Sequence, residues 1–187
     1  MGPKKLHYKQ RSKHQPIKSI SNMKHLLLLA AVCIGLFACT TASDKVGKEN
    51  LAVARKYMEA VETQNVAVMD SLLADNYMGY GPSVGDSINK ADAVAAFKYN
   101  AENLYESLKY SRHKEIAFSE KEGPTKGDWV LTWVYLEIKY KDGRGPVYAW
   151  VNIIYRIENG KIVHSRTFYN EADVLRQLGY EFVPANS

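Results

Sequence analysis

A histidine and an arginine two residues apart, His164 and Arg166, are the residues of this 187-residue chain best suited to chemistry. An imidazole titrates near neutrality, so His164 is a candidate general base. A guanidinium offers a planar fork of donors, so Arg166 is a candidate clamp for an anionic group. A spacing of two puts both side chains on one face of a strand. Each has a plainer reading beside the functional one: a hydrogen-bonded core or rim histidine, and an arginine paired with Glu137 or a helix carboxylate. No carboxylate stands in sequence where it would orient the imidazole. Other chemistries are more firmly excluded. Cys33 and Cys39 both precede the folded body, which therefore has no disulfide, thiolate metal site or cysteine nucleophile. No His, Cys and Asp cluster has metal-ligand spacing, so no metal is expected. Gly143-Arg144-Gly145 joins two strands rather than opening a helix, so it is not a phosphate cradle, and no cofactor is expected.

The elements that must position His164 and Arg166 are strands. Val147 to Arg156 alternates, with Tyr148, Trp150, Asn152, Ile154 and Arg156 on one face and Val147, Ala149, Val151, Ile153 and Tyr155 on the other. Glu158-Asn159-Gly160-Lys161 is a tight hairpin turn, because Asn-Gly tolerates the positive φ that two-residue turns need. After it, Ile162, His164, Arg166, Phe168 and Asn170 share a face. Upstream, Asp128 to Tyr140 sets Trp129, Leu131, Trp133 and Tyr135 against Val130, Thr132, Val134, Leu136 and Ile138. These three runs predict an antiparallel meander, rich in aromatics and in need of a cover.

The cover comes from upstream. Leu51, Ala54, Met58 and Val61 recur at helical spacing over Asn50–Thr63, with Tyr57 at the edge of the stripe. Asn65 caps a second helix over Val66–Leu73. Asn76 to Tyr80 is a short strand, broken by Gly81-Pro82 and a loop to Ser87. A third helix from Asn89 to Leu108 would bury Val94, Phe97, Ala101 and Leu104, and Tyr110 to Phe118 forms another strand. A short helix, Glu171 to Tyr180, ends the domain. The predicted class is α+β, with about three N-terminal helices and a short C-terminal one wrapped on an antiparallel sheet.

Charge and hydropathy set the address. Residues 1 to 38 carry seven of the 25 Lys and Arg and no Asp or Glu, leaving 18 basic against 20 acidic residues, a net of −2. The basic excess belongs to the leader, so no nucleic-acid partner is expected. Met23-Lys24-His25 precedes an apolar run from Leu26 to Ala38, too short to span a bilayer as a mature helix, and Cys39 follows at once. Leu36-Phe37-Ala38-Cys39 resembles the bacterial lipoprotein signal, which implies lipidation of Cys39 and a place in the cell envelope. Thr40 after the cysteine resembles the pattern of lipoproteins sent on to the outer membrane. The expected organisation is a non-native or misassigned extension (1–22), a signal peptide (23–38), the lipidated cysteine and a polar tether (39–49), and one domain (50–183).

Several stretches, taken in order, are similar to one family: Leu72-Leu73-Ala74-Asp75-Asn76-Tyr77, Gly127-Asp128-Trp129-Val130, Asn159-Gly160-Lys161-Ile162-Val163, and Phe168 to Gly179. Through them, residues 50–180 resemble the SnoaL-like branch of the nuclear transport factor 2-like superfamily. The resemblance implies a curved sheet wrapped into a cone by helices, with a pocket inside. It also implies a spread of functions, from cyclases, isomerases and hydrolases to pure binders, so fold alone does not give activity. Where catalytic members carry carboxylates, this chain has Gly81, Asn152 (or Ile153) and Asn170. Tyr57 aligns with the helix tyrosine of the steroid isomerases.

The pocket expected on that basis is lined by Tyr57, Tyr80, Phe97, Trp133 and Trp150, with Asn152, His164, Arg166, Phe168 and Asn170 adding polar groups and a rim. The expected function is binding of a small apolar or amphipathic ligand without catalysis. One alternative is a cyclase, isomerase or hydrolase using His164. The other is an interaction module, with the tryptophans covering a homodimer interface on the outer sheet face.

Overall fold

The computed structural model describes residues 44–183; the expectations for the leader, for Cys39 and for tether residues 40–43 lie outside them, and residues 44–49, expected as tether, open the first helix instead. Helix α1 occupies residues 44–62 and is followed by α2, Val66–Leu72, whose Asn65 cap accepts the Val68 N–H at 3.1 Å. Strand β1, Leu73–Tyr80, leads to a short strand β2, Ser87–Asn89, where the expected loop gives way to the expected third helix. Helix α3, Lys90–Asn103, is capped by Asn89 through the Asp92 N–H. Four long strands follow: β3, Tyr105–Glu120; β4, Gly127–Tyr140; β5, Val147–Glu158; and β6, Lys161–Phe168. Helix α4, Glu171–Gln177, ends the fold.

The six strands form one open sheet in the order β2-β1-β6-β5-β4-β3, with β1 and β6 parallel and every other pair antiparallel. The class is α+β as expected. The hairpin between β5 and β6 turns on Asn159 and Gly160, at φ 51° and 73°, the left-handed pair that a two-residue turn requires. One boundary differs notably. The third helix stops at Asn103 instead of Leu108, and the chain then pairs as β3, with Tyr105 opposite Tyr140 and Leu108 opposite Ile138. A partner strand that long outweighs the weak helical preference of Leu104 to Leu108.

One face of the sheet meets the helices. Val130 and Val134 of β4, Val151, Ile153 and Tyr155 of β5, and Ile162 of β6 are buried with Ala54 and Met58 of α1. At about 25 cal/mol per Å² of apolar surface removed from water, this contact is the main favourable term holding α1 to the sheet. Helix α3 has no fully buried residue, because its inward Phe97 and Asn100 face a hollow rather than a packed wall.

Candidate functional site

The hollow lies between the helices and the concave sheet face and has a volume of about 440 Å³. Tyr57 and Val61 of α1 and Phe97 and Asn100 of α3 form its helical wall. The sheet contributes Tyr77 from β1, Tyr110 from β3, Ala149, Val151, Ile153 and Tyr155 from β5, and Ser165 and Thr167 from β6. Pro82, Tyr169 and Val174, all part-exposed, stand at its edge. None of the lining residues is Asp, Glu, His, Lys or Arg.

A cluster of phenols occupies the inner part. Tyr57 and Tyr155 meet edge to face, with ring centroids 5.9 Å apart. Tyr155 is 1% exposed, and burial pushes its phenol well above the ordinary range, with Tyr110, Tyr57 and Tyr77 adding to the effect. Burial likewise raises Tyr57, Tyr110 and Tyr77, while the hydrogen bond from Ser165 works in the opposite sense on Tyr77. Tyr105, further out, is pushed up to about 12, first by burial and then by Tyr140 and Tyr169. These groups remain neutral hydroxyls at any physiological pH, since ionising one would place an unsolvated anion among the others. Tyr77 Oη and Ser165 Oγ share a hydrogen bond of 2.7 Å.

Two carboxylates approach the cluster from outside the cavity, and both are engaged. Glu62 Oε1 accepts the Tyr110 N–H at 2.5 Å. Glu115, its side chain 5% exposed, accepts Arg55 Nε–H at 2.6 Å. At the rim, exposed Asp86 stands over Gly81, where a Cβ would sit 2.8 Å from its Oδ2.

The expected pocket residues divide between the two faces. Tyr80 is at the cavity margin with its ring turned to the outer face, against His164 and Arg166, while Tyr57 and Phe97 border the cavity. His164, Arg166, Phe168, Trp133, Trp150 and Asn152 do not; they stand on the outer face of the sheet. For β6 the cause is a bulge. Ile157 pairs with Ile162 but Arg156 pairs with His164, so Val163 is an extra residue. One inserted residue reverses the side of every residue after it. Ile162 is inward as expected, but beyond the bulge Ser165 and Thr167 point in and His164, Arg166 and Phe168 point out. On β4 and β5 the inward parity belongs to the β-branched set, Val130, Val134 and Val151, which fits closely against α1. Trp133 and Asn152, cross-strand partners, are therefore outward, and so is Trp150 opposite Tyr135. Asn170 is the α4 cap, its Oδ1 accepting the Asp173 N–H at 3.1 Å.

On that outer face His164 packs against Tyr80 and Trp129, with ring centroids 4.9 and 5.8 Å away, and the Arg166 guanidinium lies 4.8 Å from the Tyr80 ring centre. Partial burial lowers the His164 pKa, and the charges of Arg166 and Arg156 lower it further. Among the described residues Arg166 makes no salt bridge with Glu137 or a helix carboxylate, while Arg156 pairs with Glu158.

The phenols Tyr77, Tyr110, Tyr155, Tyr105 and Tyr140 and the hydroxyl of Ser165 were not among the expected pocket residues. The signal that would have found Tyr155 was the alternation Val147-Ala149-Val151-Ile153-Tyr155, which is the cavity face of β5.

Residues 54–165 match the SnoaL-like domain. The chain belongs to the SnoaL-like family. No curated protein matches it in sequence. Among solved structures, the SnoaL-like domain is similar to an LEH-like epoxide hydrolase from M. tuberculosis, at 16% identity and a TM-score of 0.57 over 71% of this chain and 90% of that one. A protein of ketosteroid isomerase-like fold from Catenulispora acidiphila, solved with trimethylamine, shares 14% identity at a TM-score of 0.55 over 71% and 97%. A nuclear transport factor 2-like protein from Burkholderia xenovorans shares 12% at 0.55 over 71% and 97%. At such identities the likeness is one of fold.

Proposed function

We propose that this SnoaL-like domain holds a small apolar or amphipathic molecule in its cone without transforming it, on an envelope protein anchored through lipidated Cys39. The observation that carries the binding reading is the wall of the 440 Å³ cavity, made of apolar and phenolic side chains with no charged group. A hollow of this kind removes apolar surface from water. General acid–base catalysis near neutral pH needs a group that exchanges protons there. The phenols are held too high, and His164 lies across the sheet from the cavity. The anchor rests on the sequence: the apolar run from Leu26 to Ala38 and the cysteine directly after it.

The full-length protein, purified in detergent from its host, is expected to carry a small molecule detectable by native mass spectrometry. Ala149→Phe, which fills the cavity, should lose that mass. A protein that comes out empty from its host and binds no apolar probe would end this reading. Incorporation of labelled palmitate, abolished by Cys39→Ser, tests the anchor separately.

A second surface favours an added role. Ile116, Phe118, Trp133, Tyr148, Trp150 and Phe168 are all more than a third exposed, and all stand on the outer face of the sheet. The rows Ile116–Leu131–Ile154–Arg166 and Lys114–Trp133–Asn152–Phe168 cross it, so its apolar and aromatic side chains are interleaved with Lys114, Asn152 and Arg166. Exposed aromatic side chains interleaved with arginines are enriched at protein interfaces, and we infer that this face receives a second copy of this chain. Sedimentation should show a dimer that Trp133→Glu dissociates; a monomer at tens of micromolar would refute it.

A further inference from the structure

We infer that the outer side of the sheet carries a second, separate ligand site, a hollow beside α4 that takes a neutral pyranose sugar stacked on Trp150. The site lies across the sheet from the cone and does not depend on what the cone holds.

The hollow exists because β6 is short. Phe168, its last residue, pairs with Asn152, so the stretch of β5 from Val147 to Val151 runs on beyond it. Helix α4 folds against that stretch, and the Gln177 amide engages both backbone groups of Tyr148. Helix and strands leave a space of about 430 Å³ between them. The strands contribute Tyr135, Tyr148 and Trp150 to its wall, and the α4 segment contributes Asn170, Asp173 and Gln177.

The aromatic wall is a platform. Trp150 is 55% exposed, yet its ring is held by neighbours: Tyr135 meets it edge to face at 5.2 Å, and Tyr148 stacks on Tyr135 at 5.8 Å. A surface fixed in advance loses little freedom when a ligand settles on it. The face of an aromatic ring is electron-rich, so it attracts the polarised C–H groups on the flat side of a sugar ring.

The α4 wall supplies hydrogen bonds of both kinds. Asp173 receives Gln177 at 2.9 Å and Arg176 at 3.5 Å, which leaves lone pairs of its carboxylate free. Asn170 spends its Oδ1 on the α4 cap, and its Nδ2 makes no hydrogen bond to protein among the described residues. A carboxylate acceptor and an amide donor in one wall match neighbouring ring hydroxyls, each of which both donates and accepts. Charge narrows the choice further. A cation would be drawn to the rings, but the Arg112 guanidinium already lies over Tyr135 and Trp150, 4.9 and 5.7 Å from their centres. An anion would meet Asp173. A neutral ring of hydroxyls meets neither obstacle.

The test uses the full chain, purified in a detergent without a sugar headgroup, and a panel of methyl pyranosides, with sorbitol and tetramethylammonium as controls. Saturation-transfer nuclear magnetic resonance should show binding of a pyranoside, strongest at the C–H protons of one ring face, and the tryptophan emission should change with it. Trp150→Ala should abolish the emission change and weaken binding about tenfold, the loss of one stacked ring. Asp173→Ala should weaken it about tenfold through one charge-assisted hydrogen bond. Trp133→Glu leaves every residue of the site in place and should bind the pyranosides at least as well as the wild type. Failure of every pyranoside to bind both the wild type and Trp133→Glu would overturn the inference. So would binding that survives Trp150→Ala, or sorbitol binding as well as the cyclic sugars, since neither would involve stacking. Tighter binding of tetramethylammonium would overturn it in favour of a cation, and loss of sugar binding in Trp133→Glu would overturn a site built by one copy of the chain.

Discussion

Tyr77 Oη and Ser165 Oγ meet at 2.7 Å inside the cone, tying β1 to its parallel neighbour β6. His164, the residue before Ser165, packs on the other side of the sheet against Tyr80. The pair joins the first and last strands of the fold at the sheet's one parallel seam. Removing either oxygen, by Ser165→Ala or Tyr77→Phe, should cost about 1 kcal/mol. A double-mutant cycle by urea denaturation should show the two changes to be less than additive, because the second removes a partner already lost.

Gly79 lies between these groups. A Cβ there would run into Tyr77 Oη and sit 3.1 Å from Ile88 Cγ2. Gly79→Ala should therefore destabilise by about 1–3 kcal/mol, as overpacking does. It should also displace the Tyr77 ring into the cavity, and thermal melts with and without an apolar probe would show both effects.

The deep phenols predict an alkaline limit. Tyr57, Tyr77, Tyr110 and Tyr155 all have folded pKa values raised above the ordinary 10.0 by burial. Above pH 10 the unfolded chain releases those protons and the folded one keeps them. Their contribution is complete below about pH 10 and is lost as pH rises beyond it. Tyrosinate absorbance should show these four failing to titrate until the fold gives way, and the urea midpoint should fall over the same range.

His164 sets the opposite, acid-side trend. Its pKa is lowered from 6.5, first by burial and then by Arg166 and Arg156. The unfolded chain therefore binds the proton more readily, so the contribution is present above about pH 6.5 and is lost as pH falls through the folded value. His164→Phe keeps the ring against Tyr80 and Trp129 and should flatten the stability profile between pH 7 and 5. Proton titration by nuclear magnetic resonance gives the folded value directly.

Gln177 stands in for a missing strand. Its side-chain amide accepts the Tyr148 N–H at 2.9 Å and donates to the Tyr148 carbonyl at 2.8 Å, beyond the point where β6 has ended. Gln177→Ala should cost about 1 kcal/mol, since the part-exposed backbone is rehydrated. Hydrogen exchange at the Tyr148 amide should speed up, while Tyr155, in the paired part of β5, should be unchanged.

The strands, the Asn159-Gly160 turn, the helical stripe Leu51-Ala54-Met58-Val61 and the cap at Asn65 were legible without coordinates. They are local: hydrophobic period, turn chemistry and cap preference act within a few residues. The sheet class followed as well, because a meander this apolar needs helices on one side.

Which face became the inside was decided by tertiary structure alone. One unpaired residue, Val163, carried His164 and Arg166 out of the cone and brought Ser165 and Thr167 in. Nothing in the residues around Val163 marks a bulge, since it forms only when β5 and β6 are paired in register. The tryptophans misled for a related reason. Side-chain size suggests burial, but the concave face had to fit against Ala54 and Met58, which favoured valines and left Trp133 and Trp150 outside. The phenol cluster was hidden because its members come from α1, β1, β3 and β5, residues nearly a hundred positions apart that only the folded domain brings together.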